Sequence, residues 1–300
     1  PQFYKKRKFD YDNAVNGMQQ ILWGLFKKIV IADNCSVYAN EIFAHYNSYS
    51  GSTLLLGSFF FAFQIYCDFS GYSDIAIGAA RLFGFSLMRN FAYPYFSRDI
   101  AEFWRRWHIS LSTWFRDYVY IPMGGTRVRR KIQMRNILVI FIISGFWHGA
   151  SWTFIVWGLL NALYCLPLLI FGKNRKNLDI AAEGKLLPSP YEFLQISLTF
   201  LLTSFAWIFF RAKSLNHAFA YISKIFSKSL FTFPEIFPKS LIVMVVIFVL
   251  IEWLQRSKQH ALHLDSSKIP RLASWIFYLL IIIVIYFYGG EQQQFIYFQF

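Results

Sequence analysis

Long stretches without a single charged side chain decide what this chain can become. Residues 42–67, 136–172, 193–210 and 272–290 contain no Asp, Glu, Lys or Arg. About 20 apolar residues cross the hydrocarbon core of a bilayer as a helix. The chain therefore reads as an all-α, polytopic integral membrane protein. Its composition agrees, since 56% hydrophobic and 21% aromatic residues with 15% charged exceed what a soluble domain carries. An ordinary cytosolic enzyme is excluded.

Thirty basic residues against 16 acidic ones give a net charge of +14, which on a soluble chain would suggest nucleic-acid binding. Here the basic groups sit in short segments between apolar runs, near residues 5–8, 127–135, 173–176 and 256–271. Anionic lipid and the positive-inside rule account for that pattern, and no nucleic-acid partner is expected. The densest group, Arg127, Arg129, Arg130, Lys131 and Arg135, is the expected cytosolic side. Cys35, Cys67 and Cys165 are too few and too dispersed for a metal site or a disulfide framework, so they read as small buried hydrophobes.

Along the chain, residues 11–34 form an apolar helix that Lys27 and Lys28 interrupt, and it is expected to lie partly in the interface. Residues 42–67 form a span that runs into Asp68-Phe69-Ser70-Gly71-Tyr72-Ser73-Asp74, with a second, shorter helix expected over 75–85. Asp68 and Asp74 thus fall at or near membrane depth. Between residues 97 and 120, Trp104, Trp107, His108, Leu111, Phe115 and Tyr118 share one helical face while Arg105, Ser112 and Arg116 occupy another. That spacing predicts an interfacial amphipathic helix, started by Asp99 and Glu102 and stopped by Pro122 with Gly124 and Gly125. The run 136–172 would be about 55 Å long as one helix, nearly twice the hydrocarbon thickness. A break is expected between Gly145 and Gly149, exposing Phe146-Trp147-His148 inside the membrane. A polar linker over 174–190 then leads to spans near 193–210, 240–253 and 272–290.

The chain lacks a G-x-S-x-G elbow, a Walker loop, a Rossmann glycine set and paired Cys or His at zinc spacing, so polar groups within apolar sequence are what remain for chemistry. His45, His217, His260 and His263 fall in or near polar segments, whereas His108 and His148 sit among aromatics. A neutral imidazole can take and return a proton near pH 7. Each candidate also has a plain structural alternative. His148 can be packed in a helix junction and His108 can be an interfacial aromatic. Asp68 and Asp74 can be helix caps or partners of buried arginine. Trp104, Trp107, Trp114, Trp147 and Trp152 can be an aromatic belt instead of the wall of a tunnel.

Three long motifs narrow these alternatives: the segment from Asp68 to Asp74, the segment from Phe103 through Trp104-Arg105-Arg106-Trp107-His108 to Tyr120-Ile121-Pro122-Met123-Gly124-Gly125, and Ser144-Gly145-Phe146-Trp147-His148-Gly149-Ala150-Ser151-Trp152. Together they resemble the membrane-bound O-acyltransferase (MBOAT) superfamily, most of all its bacterial polysaccharide branch, typified by the alginate O-acetylation protein. The resemblance is strong over residues 1–164, and residues 294–300 look like the family's carboxyl terminus. It implies one membrane domain over residues 1–300, a broken helix and interfacial helices around a tunnel, and a chain that is the carboxyl-terminal portion of a longer protein.

The resemblance also implies roles. The catalytic histidine of the superfamily maps onto His148, and the second polar position of the family onto His108. Asp68, Asp74, Trp147 and Ser151 become supporting or tunnel-lining candidates. No cofactor is expected to be tightly bound; acetyl-CoA or another acyl thioester is the implied donor, on the cytosolic side. An extracytoplasmic partner acetyltransferase and a polysaccharide acceptor follow, as does a multi-pass location in a bacterial inner membrane. D-alanyl transfer to teichoic acid and peptidoglycan acylation are rival chemistries on the same fold. A transporter or channel using Asp68, Asp74 and the break at His148, and a scaffold without chemistry, are the rivals outside it.

Overall fold

A computed structural model describes residues 2–4, 6–263, 270–289 and 293–295. Most of the expected carboxyl-terminal motif, and the last residue of the 272–290 run, lie outside these. The described residues form helices and connections with no strand: α1 (Tyr11–Leu25), α2 (Asp33–Ala44), α3 (Gly51–Leu82), α4 (Ile100–Arg106), α5 (Ile109–Phe115), α6 (Arg130–His148), α7 (Trp152–Ile170), α8 (Pro190–Arg211), α9 (Leu215–Ile225), α10 (Lys239–Leu254) and α11 (Arg271–Tyr288). Among the described residues, α3, α7, α8 and α11 are long and apolar enough to cross a membrane. The chain is a membrane protein of all-α class. All three cysteines are buried and unbridged, as their apolar surroundings suggested.

The chain divides into two compact units. The first takes Pro1–Tyr38, Phe63–Asn90 and Pro238–Gln299. Here α1 does not end at Lys27 and Lys28. A π-helical turn, Phe26–Ala32, carries the helix through both lysines into α2. These lysines face inward instead of lying in an interface. Lys27 Nζ donates to Asp74 Oδ2 at 2.5 Å and to Ser70 Oγ at 2.9 Å, and Gln20 Nε2 donates to Asp74 Oδ1 at 2.7 Å. Lys28 Nζ lies 2.7 Å from both Asp33 Oδ1 and Asp68 Oδ1. The helix over 42–67 and the separate one over 75–85 are replaced by α3, which is continuous from Gly51 to Leu82. The Asp68-to-Asp74 motif is therefore mid-helix, and its Gly71 serves packing. An added Cβ at Gly24 would sit 2.6 Å from the Gly71 carbonyl oxygen, and one at Gly17 would sit 2.7 Å from that of Gly78. Two glycine pairs, each spaced seven residues apart, thus let α1 and α3 touch backbone to backbone, close enough for short ion pairs to span the gap.

The second unit takes Ala39–Ala62 and Phe91–Phe237. Its α6 and α7 form an antiparallel hairpin, because an added Cβ at Gly145 would collide with the Phe154 carbonyl and one at Gly158 with that of Phe141. Helix α8 begins with a full capping box, Ser189 exchanging hydrogen bonds with Glu192, and packs antiparallel on α7, pairing Phe154 with Phe210 and Trp157 with Trp207. The short α9 went unforeseen, and the Tyr221 hydroxyl ties it to the Leu54 carbonyl at 2.7 Å. The start of α3 is capped from a distance. The Glu235 carboxylate accepts from Ser50 N at 3.1 Å, from Ser50 Oγ at 2.5 Å and from Thr53 Oγ1. Burial raises the Glu235 carboxyl, but these hydrogen bonds outweigh it and hold the group down at about 2.

Two outcomes follow. Asp74→Ala leaves the Lys27 ammonium buried and unpaired, a change that costs about 3 to 5 kcal/mol in buried pairs. Thermal unfolding in detergent should show a clear fall in Tm, largely recovered by Lys27→Met with Asp74→Leu; an unchanged Tm for Asp74→Ala refutes the pairing. Glu235 has a depressed folded-state value, so its contribution is full above about 4.5 and is lost as pH falls toward about 2. Unfolding followed across that window should weaken more in the wild type than in Glu235→Gln; parallel curves count against the cap.

Candidate active site

Helix α6 stops at His148 because the chain there must pass close to an aromatic ring. A Cβ at Gly149 would sit 2.7 Å from the Phe154 ring, so only glycine fits. The break expected between Gly145 and Gly149 falls slightly later, across Gly149, Ala150 and Ser151, and Gly145 itself is buried inside α6 against α7. Ser151 starts α7: its Oγ accepts from Thr153 N at 3.3 Å. Ser151 thus acts as a helix cap.

His148 is therefore the last residue of α6, half-buried in a box of rings. Trp157 and Phe210 meet the imidazole edge-on, with centroids at 5.2 and 5.0 Å, and Trp147 does so at 4.9 Å. Trp147 itself is 54% exposed, so it covers one side of the histidine without being enclosed.

The amphipathic helix expected over 97–120 is broken. Helix α4 ends at Arg106, Trp107 is extended, and His108 takes the left-handed conformation, with φ 43° and ψ 56°, before α5 begins. The single aromatic face inferred from the sequence therefore does not exist. Trp107 is 3% exposed whereas Trp114 and Tyr118 point outward. A left-handed residue other than glycine costs on the order of 1–2 kcal/mol and persists only where its surroundings determine it. Those surroundings are a charged clamp on α4. Asp99 caps the helix, accepting from Glu102 N at 2.7 Å. Buried Glu102 receives Arg98 Nε at 3.1 Å and Arg106 Nη2 at 2.8 Å. The following linker is stitched on, with Arg98 Nη2 on Asp179 Oδ1 at 2.8 Å and Arg105 Nη2 on the Asn177 carbonyl at 2.7 Å. Ser112 N then closes α5 on the His108 carbonyl at 3.0 Å.

The two histidines share a wall of rings. From His148 the contacts run through Trp157 to Trp207 at 5.6 Å, Trp107 at 5.0 Å and Phe91 at 5.1 Å, and reach His108 at 6.5 Å. A charge on His108 is felt at His148. His108 lies between short helices, outside the spanning ones, and burial pulls its imidazole down to about 4. It is neutral at physiological pH. Ser110 Oγ stands 3.4 Å from its Nδ1.

Of the remaining candidates, Asp68 and Asp74 belong to the first unit and are engaged by Lys28 and Lys27, the structural alternative with lysine in place of arginine. Trp104 is half-buried against Trp157, while Trp114, Trp147 and Trp152 are exposed. The proposed tryptophan ring is therefore replaced by Trp107, Trp157 and Trp207, the last two of which sequence reading passed over as parts of uniform spans. His217 is half-buried and His260 is buried, contrary to their reading as loop residues. The basic group 127–135 is a loop only as far as Arg129; from Arg130 onward it is the first part of α6. Arg130 Nη1 donates to the Ile170 carbonyl at 2.8 Å, which gathers these cations with Lys173, Arg175 and Lys176 at the end of the hairpin away from His148.

Residues 7–182 match the family model described as MBOAT, membrane-bound O-acyltransferase family, a stretch holding His108 and His148. The chain is 41% identical over 220 residues to a peptidoglycan O-acetyltransferase of Helicobacter pylori, covering 73% of this chain and 40% of the relative. It is 39% identical over 224 residues to a probable alginate O-acetylase AlgI of Pseudomonas aeruginosa, covering 75% and 41%. Against a teichoic acid D-alanyltransferase of Bacillus subtilis it is 30% identical over 217 residues, covering 69% and 53%. The chain thus spans about two fifths to a half of the length of these relatives.

The left-handed site makes a prediction independent of chemistry. Asparagine tolerates this conformation and valine does not, so His108→Val should unfold at a Tm several degrees below that of His108→Asn, a gap of about 1–2 kcal/mol. Equal Tm values would show that the turn relaxes.

Proposed function

The chain belongs to the membrane-bound O-acyltransferase family, and from that premise we propose that it transfers an acyl group, acetyl in the first instance, from a thioester donor such as acetyl-CoA to a hydroxyl destined for an extracytoplasmic polysaccharide. The reading is carried by His148, set at the end of α6 and walled by Trp157 and Phe210. His148 takes the proton of the attacking hydroxyl. The oxygen adds to the thioester carbonyl carbon, the carbon–sulfur bond breaks, and the departing thiolate recovers the proton from the imidazolium. His108, neutral in its pocket, orients the acyl group or donates a hydrogen bond to the developing oxyanion. The aromatic wall excludes the water that would otherwise hydrolyse the thioester.

Acetyl is preferred over D-alanyl because the O-acetyl relatives are 39–41% identical and the D-alanyl relative 30%. Positive-inside reasoning puts the basic end of the α6–α7 hairpin in the cytosol, with the donor, in a bacterial inner membrane. The acceptor, and a partner protein that delivers it, then lie on the opposite side. No tightly held cofactor enters this scheme, and the thioester is a substrate.

The test is acyl transfer from labelled acetyl thioester by the full-length protein in liposomes, alongside mass spectrometry of O-acetyl groups on surface glycans. His148→Ala should insert normally and lose about 10²- to 10⁴-fold in rate. Wild-type turnover by a folded His148→Ala protein would sink the proposal.

A further inference from the structure

Helix α8 ends on a cation with no counter-charge. Arg211 Nη2 donates to Asn40 Oδ1 at 2.7 Å, and its guanidinium stands 5.9 Å from the Phe43 ring centroid. Its Nε is buried with no hydrogen-bond partner among the described residues. The one ionisable group acting on it there is the Tyr221 phenol. The carboxylate nearest in sequence to Asn40, that of Glu41, is taken by the Tyr49 hydroxyl at 2.8 Å and by His45 at 3.1 Å. A desolvated guanidinium left in this way is costly. The loop into α9 adds cations instead of relieving them. Lys213 is exposed. His217 stacks on Tyr46 at 4.6 Å and accepts from Lys213 N at 3.3 Å, while its Nε2 is also buried without a partner.

The position of this corner is set by the helices. α8 is antiparallel to α7, so Arg211 lies at the same end of the unit as the turn after His148, next in sequence to Phe210, which packs on His148 at 5.0 Å. The basic groups at 127–135 and 173–176 lie at the other end. This second basic site is small, has a planar fork, and sits on the acceptor side of the reaction.

We propose that Arg211, with Lys213 and His217, receives an oxyanion carried by the acceptor saccharide, a carboxylate or phosphate held by the guanidinium fork. The assignment rests on the acyl-transfer reading for the identity of the ligand, and on the geometry alone for the anion site. Charge-assisted hydrogen bonds of this kind are worth at least tenfold in affinity. The corner therefore selects acidic acceptors over neutral ones and leaves the chemistry to His148.

Binding to the full-length protein in phospholipid-free detergent tests this, with a uronic-acid oligosaccharide, its carboxyl-reduced neutral counterpart and a polyol phosphate oligomer as probes. The wild type should bind one or both acidic probes at least about tenfold more tightly than the neutral one. Arg211→Gln should erase that preference without weakening the neutral probe, Arg211→Lys should keep part of it, and Lys213→Gln should reduce it a few-fold. Lys213 is exposed, so its variant decides the matter if Arg211→Gln does not fold. Equal binding of acidic and neutral probes by the wild type overturns the proposal, as does a preference untouched in Arg211→Gln. A preference abolished by adding anionic phospholipid also overturns it, because the corner then holds a headgroup. His148→Ala should keep the preference. A preference without any acyl transfer in the wild type defeats the enzymatic reading alone, and transfer without a preference defeats this one alone.

Discussion

A charge taken into a bilayer has to meet its opposite inside the protein, and the first unit is arranged around that demand. Lys27 and Lys28 occupy adjacent positions in a helix that would otherwise be apolar, and each is met by a carboxylate from the motif on α3. Pairs this short need two backbones in near contact. The facing glycines at 17 and 24, and at 71 and 78, provide that contact. The ion pairs and the glycines depend on each other: bulkier residues would hold the carboxylates away from the ammoniums, and without the charges nothing would require so close a crossing.

The second unit solves a different problem, that of keeping two imidazoles polar within apolar surroundings. Rings do most of this work. They give His108 and His148 edges and faces in place of hydrogen-bonding competitors, and they leave half of each side chain approachable. The rigid part is the charged clamp around Glu102, which lies outside the ring wall and fixes the helix whose end becomes the left-handed turn. Such a division, with rigidity supplied by buried charge and chemistry left to rings and imidazoles, suits a site that must exclude water without locking its substrate out.

Much of this was legible in the sequence because spans announce themselves by the absence of charge, and because the motifs around His108 and His148 are long. The helix pairs beside Gly145 and Gly149, the burial of the cysteines and the membrane class all follow from local pattern. What periodicity could not show was handedness at a single residue: His108 continues a helical aromatic stripe in spelling, yet its backbone departs from the helix there. The lysines misled for a related reason. Two adjacent cations in an apolar run look like an interface, and only the carboxylates some 45 residues away reveal that they are buried. Trp157, Trp207 and Arg211 carried no local signal, because an aromatic or a terminal arginine in a span is ordinary membrane grammar.

The π-helical turn over Phe26–Ala32 gives the first unit a register. Asp33 N there reaches back five residues to the Lys28 carbonyl instead of four, so this stretch holds one residue more than an α-helix of equal span. That surplus residue sets the phase of everything after it. Removing any one position from the stretch would restore ordinary α-helix and rotate the following residues by about a quarter turn, carrying Asp33 and Asn34 away from their partners. Along this helix, length tolerance is therefore zero where sequence tolerance can be generous: the chain can exchange one apolar side chain for another, but it cannot lose a residue.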